Sequence, residues 1–324
     1  MNHMNFLSNY GMFLLQTITL VLAILATVGG IIAISSKDKG GSRLKITELN
    51  KKFDAQKEQM LEQTLDKKAL KEHQKQQKKA QKNTEIKKNK LFVIDFEGDI
   101  KASAVESLRH EITAILSIAT PNDEVLVNIE SGGGTVNAYG FAASQLQRIV
   151  SQGIPLTASV DKVAASGGYL MASVANKILA APFAIVGSIG VVAQMPNFHR
   201  WLKKHDIDFE LLTAGEYKRT LTVFGENTPQ AKEKFTEEMD TVHHHFKDHI
   251  AEHRKQVIIE KVATGEHWLA KEAFELNLVD KLITSDEYIS VKAQDCQILK
   301  IESKRKMGLA ARLLKPAATI LNNS

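Results

Sequence analysis

Between Leu91 and Leu282 short apolar runs alternate with segments whose apolar residues recur at helical spacing, and this alternation restricts the fold more than any other feature. Leu91–Phe96, Val125–Ile129 and Pro155–Val160 read as strands, and Ser103–Ile118 and Thr135–Val150 as helices. A small-residue helix follows from about Ser166 to Ala175, then short strands near Lys177–Ala180 and Gly187–Val192. Thr228–Lys255 is a long polar helix with Pro229 in its first turn, and Thr264–Leu282 holds a last helix and strand. Parallel strands need a crossover between them, and a helix supplies it, so this order predicts an α/β fold with a mainly parallel sheet.

The N-terminal side is different in kind. No Asp, Glu, Lys, Arg or His occurs from Met4 to Ser36. As a helix, Met12–Ile34 would rise roughly 35 Å, enough to cross a bilayer. A cleaved signal peptide fits poorly, because no Lys or Arg precedes the run and the run is long for a signal core. Residues 1–36 are therefore expected to be a membrane anchor. Residues 37–90 carry 17 Lys/Arg against 8 Asp/Glu and no proline, which reads as a basic helical or disordered stalk. Residues 286–324 carry 7 basic and 4 acidic side chains, a basic tail with an amphipathic stretch at Met307–Ile320.

Between them, residues 91–285 hold 18 basic and 25 acidic side chains, so the whole chain's formal charge of +5 belongs to the stalk and tail. The basic balance is thus a membrane-surface signal rather than a nucleic-acid one; Lys-rich stretches without aromatic partners are usually solvated. The lone cysteine, Cys296, excludes an intrachain disulfide framework and multi-cysteine metal sites.

Three glycine-rich turns stand where strands give way to helices or loops: Glu130-Ser131-Gly132-Gly133-Gly134, Ala165-Ser166-Gly167-Gly168 and Gly187-Ser188-Ile189-Gly190. Glycine lets backbone N–H groups face a ligand unobstructed, and a helix N-terminus adds partial positive charge. Such a turn can hold a phosphate or an acyl-transfer oxyanion. None of the turns has the spacing of a dinucleotide or nucleoside-triphosphate phosphate loop. Ser166 sits at a helix start among small residues; taken alone it is a helix cap or a nucleophile. No histidine completes a Ser/His/Asp arrangement, but a neutral lysine serves as base in Ser-Lys enzymes, and Lys218, beside Arg219, is the candidate.

Four segments, VDKVAASGGYLMASVANKI, APFAIVGSIGVVAQMPNF, TAGEYKRTLTVFGENT and VATGEHWLAKEAFELNLVDKL, occur in this order and with consistent spacing. Together they resemble the SppA/SohB signal peptide peptidase family, specifically its single-span SohB branch. The resemblance implies a ClpP/crotonase-like layered fold and a serine endopeptidase domain over residues 91–285. It implies Ser166 as nucleophile, Lys218 as general base, Ser188 as the residue that orients the lysine, and the N–H groups of Gly133 and Gly167 as oxyanion hole. No cofactor is implied. One position departs from the pattern: the family turn usually reads Asn-Ser-Pro-Gly-Gly, and here Gly132 replaces the proline. The resemblance further implies a homo-oligomer whose neighbouring protomers share each site, and peptide substrates such as signal-peptide remnants or envelope proteins.

Competing readings remain beside it. His249-Ile250-Ala251-Glu252-His253 matches H-x-x-E-H, a zinc-protease pattern, with His243, His244 and His245 upstream. A crotonase-like fold also hosts acyl-CoA enzymes, and an idle membrane scaffold is a third class. The expected location is a bacterial inner membrane, crossed once. Lys37, Lys39, Arg43 and Lys45 follow the span at once, which by the positive-inside rule keeps the bulk of the chain in the cytoplasm. The family association points instead to the periplasm. Trp201 and Trp268 read as packing residues.

Overall fold

The structure is a computed structural model that describes residues 2–35, 44–82 and 89–303. It falls into two compact units, Met1–Arg43 and Leu44–Ser324.

The first unit is a single helix, α1 (Asn2–Ser35). Its described side chains from Tyr10 to Leu25 are exposed and mostly large and apolar. Thr17 and Thr19 donate their hydroxyls to carbonyls one turn back, Phe13 O at 2.8 Å and Leu15 O at 2.7 Å. Among the described residues no helix is long and apolar enough to cross a membrane.

The second unit opens with β1 (Leu44–Glu48) and the polar helices α2 (Leu49–Thr64) and α3 (Lys67–Lys82). Then β2 (Lys90–Gly98), α4 (Val105–Leu116), β3 (Glu124–Ser131), α5 (Val136–Ser151) and β4 (Leu156–Val160) alternate as the periodicity predicts. Next come β5 (Val163–Ala165), α6 (Gly167–Ser173), β6 (Lys177–Ala180), β7 (Ile185–Gly187), α7 (His199–Lys204) and α8 (Pro229–His253). The chain continues through α9 (Ile259–Val262), β8 (His267–Leu269), α10 (Ala270–Glu275), β9 (Lys281–Leu282), α11 (Ser285–Lys292) and β10 (Gln297–Ser303).

The ten strands form one sheet with the main path β1-β10-β2-β3-β4-β6-β9. A branch leaves β3 through β5 to β7 and β8. Among the described residues only the β1–β10 and β7–β8 pairings are antiparallel. The fold is therefore α/β with a mostly parallel sheet. β2, β3 and β4 are buried on both faces, and α4 and α5 pack their apolar stripes (Leu108, Ile112, Ile115; Ala142, Leu146, Ile149) onto one of them. Burying each leucine or isoleucine among them contributes about 1.5–3 kcal/mol, so these helices hold the sheet by burial rather than by helix propensity.

Among the described residues few charged side chains are buried, namely Glu111, Asp123 and Arg254, and the arginine is paired. Arg254, 2% exposed, forks onto Asp280 at 2.7 and 2.8 Å and donates to Asn277 O at 3.0 Å. The fork ties the end of α8 to the turn before β9.

Two local expectations are corrected, and one further apolar run forms no strand. The sheet takes strands from beyond both ends of residues 91–285: β1 comes from the stalk segment and β10 from the tail, and β10 lies between β1 and β2. The strand expected at Gly187–Val192 is instead Ile185–Gly187, because its partners are Val163–Ala165 and His267–Leu269. Phe209–Leu212, apolar enough for a strand, forms none; it has no neighbouring strand, and Leu212 is 92% exposed. The amphipathic stretch Met307–Ile320 lies outside the described residues.

Candidate active site

The branch of the sheet builds the site. β3 ends in Ser131, which pairs with Ala164 of β5, so the glycine turn 132–134 emerges beside the strand that leads to Ser166. β5 then pairs with β7 (Ala165 opposite Gly187), so Ser166 and Ser188 leave adjacent strands at the same level. The Ser166 N–H donates to Gly187 O at 2.8 Å and fixes that adjacency.

Ser166 occupies the cap position of α6 with φ 51° and ψ −120°, a conformation that non-glycine residues rarely adopt. Strain of this kind costs on the order of 1–3 kcal/mol and persists where surrounding structure enforces it. Ser188 also has a positive φ, 52°. Gly133, φ 91°, faces Ser166: a Cβ there would lie 2.7 Å from the Ser166 Cβ and 2.8 Å from Gly167 N. Gly167, first residue of α6, has no acceptor for its N–H within the helix. The Gly133 N–H donates to Ser131 Oγ at 3.1 Å.

These groups open into one cavity of about 800 Å³. Ser166, Gly133, Gly167 and Ser188 all line it; Lys218 does not. Lys218 lies exposed on an irregular segment between α7 and α8, where its N–H donates to Gly215 O at 3.2 Å. Four of the five expected site residues thus come together within one chain, and the fifth stands apart.

Sequence reasoning missed two contributors. Tyr139 of α5 and Val242, His243, His245, Phe246 and His249 of α8 also line the cavity. Tyr139 was legible in principle: four residues past Thr135, a helical side chain leans back over the turn that precedes its helix. The α8 wall was not, because nothing local places residue 243 against residue 166.

The same helix disposes of the zinc reading. His249 Nε2 faces Leu170 O at 3.2 Å, while both nitrogens of His253 are engaged, with His249 O and with Gln147 Oε1, each at 2.8 Å. A zinc site needs a free nitrogen lone pair from each histidine, and among the described residues no three His, Cys, Asp or Glu side chains converge on a metal position. Burial, helped by the neighbouring His253, pulls the His249 pKa below its ordinary value. Of the two tryptophans, Trp268 packs against the core over Gly187. Trp201, 56% exposed, lines a small surface groove with Phe198, Leu202 and Phe224.

The sequence matches the peptidase family S49 N-terminal model over residues 5–146 and the peptidase family S49 model over residues 148–299. It is 48% identical to "Probable protease SohB" of Haemophilus influenzae over 327 residues, 96% of this chain and 93% of that one. The chain belongs to peptidase family S49, in its SohB branch. A second relative of the same name, from Buchnera aphidicola subsp. Schlechtendalia chinensis, is 46% identical over 88% of this chain and 99% of its own. Among solved structures, a membrane-bound stomatin-specific protease, in a Lys-to-Ala mutant bound to a substrate peptide, is 13% identical with a TM-score of 0.43, covering 72% of this chain and 99% of that one. Membership of family S49 supports a peptidase rather than an acyl-CoA enzyme.

Proposed function

We infer that this peptidase is a membrane-anchored serine endopeptidase in which Ser166 is the nucleophile and Lys218 the general base. The observation that carries the reading is the strained Ser166 at the head of α6, inside the cavity and opposite Gly133. A bare helix cap has no need of that strain.

In the proposed reaction the neutral Lys218 amine takes the Ser166 hydroxyl proton as Oγ bonds to the scissile carbonyl carbon. Negative charge collects on the former carbonyl oxygen, toward the N–H groups of Gly133 and Gly167. The tetrahedral intermediate collapses, the C–N bond breaks, and Lys218 delivers the proton to the leaving amine. Lys218 then deprotonates a water that attacks the ester carbon, and passes that proton to Ser166 Oγ as the C–O bond to the acyl group breaks. Ser188 is the lysine-orienting hydroxyl.

Because Lys218 lies outside its own chain's cavity, we assign each site's lysine to a neighbouring protomer, so that a homo-oligomer is the active form. The exposed Leu211, Leu212 and Tyr217 around it are the apolar surface such a contact would cover. α1 is the proposed anchor in a bacterial inner membrane, supported by its uncharged run and by threonines that return their hydroxyls to the helix. Apolar lining from Val136, Leu170, Val191 and Val192 suits extended peptides with small or apolar side chains, such as signal-peptide remnants or envelope proteins.

Purified full-length protein should react with a fluorophosphonate at Ser166 and cleave a fluorogenic peptide. Ser166→Ala and Lys218→Ala should each abolish cleavage with circular dichroism unchanged. Substantial turnover by either variant would overturn the assignment.

A further inference from the structure

The turn 130–134 carries no proline, and Gly132 meets nothing within 4 Å of where its Cβ would be. Something else must hold Gly133 against Ser166. A continuous hydrogen-bond relay runs through the turn. Tyr139, fully buried, donates its hydroxyl proton to Asp99 O at 2.8 Å. Tyr139 has no second proton, so the 2.5 Å contact between its hydroxyl and Ser131 Oγ is a donation from Ser131. That leaves the lone pairs of Ser131 Oγ to accept the Gly133 N–H at 3.1 Å. The order that uses the shorter contacts runs from Gly133 N–H to Ser131, Ser131 to Tyr139 and Tyr139 to the Asp99 carbonyl; Gly98 O, at 3.4 Å, is a longer alternative acceptor for the Ser131 hydroxyl.

The Tyr139 ring holds the other side of the site. A Cβ on Gly167 would lie 2.3 Å from Tyr139 Cγ, so the helix that carries Ser166 rests directly on the ring. A Cβ on Gly98 would lie 2.5 Å from the Tyr139 hydroxyl and 2.6 Å from Ser131 Oγ, which leaves the pair room only because residue 98 is glycine. The ring is braced edge-on by Phe96, with centroids 6.2 Å apart. One side chain therefore touches Gly167 with its ring and governs Gly133 through its hydroxyl.

We propose that Tyr139 and Ser131 are positioning residues of this peptidase, which together set the distance and orientation between the Gly133 turn and the Gly167 helix end. The proposal rests on the serine-peptidase reading above. Ser131 receives the Gly133 N–H and keeps that donor from collapsing elsewhere. A developing oxyanion is a stronger acceptor than a neutral hydroxyl, so it draws the N–H into a shared bond as charge appears. The relay acts on the transition state and leaves the remote peptide subsites alone. Its loss is therefore expected in kcat and not in KM.

The test uses full-length protein in detergent. Tyr139→Phe keeps the ring on Gly167 and removes the relay; Ser131→Ala breaks the relay at its middle. Each is expected to lower kcat per fluorophosphonate-titrated site by about tenfold with KM within about twofold, since misplacing an oxyanion donor costs less than deleting it. The double variant should lose no more than the worse single, because both break one relay. Additive losses, a loss confined to KM, or wild-type kcat in Tyr139→Phe would overturn the proposal. A wild-type protein that neither labels at Ser166 nor cleaves peptide would instead overturn the underlying reading.

Discussion

Gly133 and Ser166 face each other so closely that a methyl group on the glycine would lie 2.7 Å from the serine Cβ. The glycine also holds φ 91°, which side chains rarely adopt. Gly133→Ala is expected to cost about 1–3 kcal/mol in strain and to push the turn off the nucleophile. Turnover should fall by about a hundredfold or more, as when an oxyanion donor is removed. Gly132→Ala, with no clash and no positive φ, should leave Tm unchanged or slightly raised. Wild-type kcat in Gly133→Ala would take this turn out of the site.

Ser166 pays a conformational penalty that a glycine would not. Its φ of 51° and ψ of −120° suit glycine far better than any L side chain. Ser166→Gly is expected to abolish cleavage while raising stability by about 1 kcal/mol over Ser166→Ala, after allowing for glycine's greater freedom in the unfolded chain. Denaturant midpoints of the two variants, at equal slope, measure the difference. Equal midpoints would mean that the turn stores no strain.

The strands legible in the sequence are those whose burial is written locally. Val125–Ile129 and Lys177–Ala180 are apolar runs bounded by helical or turn segments, and both are strands. Leu44–Glu48 and Gln297–Ser303 were illegible because each is a strand only through a partner more than 200 residues away, Leu44 opposite Ser303. Phe209–Leu212 shows the converse, apolar character without any partner. For the site, the glycine turns and Ser166 announced themselves through backbone demands that only certain residues meet. Lys218 came from the family resemblance, which also implied a site shared between protomers; its own local sequence, an exposed lysine in an irregular segment, marks neither.

Glu111 gives the fold a pH dependence of unusual sign. It is 5% exposed, its Oε1 accepts the Ser303 N–H at 2.6 Å, and its Oε2 has no partner. Burial pushes its pKa up to about 7 from 4.5; Asp95 and Glu302 push the same way, and the Ser303 bond opposes them. Between those two values the folded chain binds more protons than the unfolded chain, so stability falls as pH rises from about 4.5 through about 7 and then levels off. At ~1.36 kcal/mol per pH unit the loss from this group is at most ~3 kcal/mol. Glu111→Gln, which stays neutral, should remove that share of the decline between pH 5 and pH 8. Urea unfolding at the two pH values checks it, and parallel declines in wild type and variant would exclude Glu111 as the cause.

Lys218 makes the oligomer testable by mixing two dead chains. No residue of the 213–220 segment lines the cavity that holds Ser166, so a base supplied in trans satisfies the chemistry where the chain's own lysine does not. If Ser166 of one protomer works with Lys218 of its neighbour, co-expressed Ser166→Ala and Lys218→Ala chains can pair an intact serine with an intact lysine. Random assembly in a closed ring places both intact groups at about a quarter of the sites. Peptide cleavage should therefore return to about a quarter of the wild-type rate in the mixture, while each variant alone stays inactive. Fluorophosphonate should label only the Lys218→Ala chain, since only that chain retains the nucleophile. A dyad formed within one chain predicts no recovery at any ratio, so an inactive mixture of demonstrably mixed oligomers would assign both residues to the same protomer.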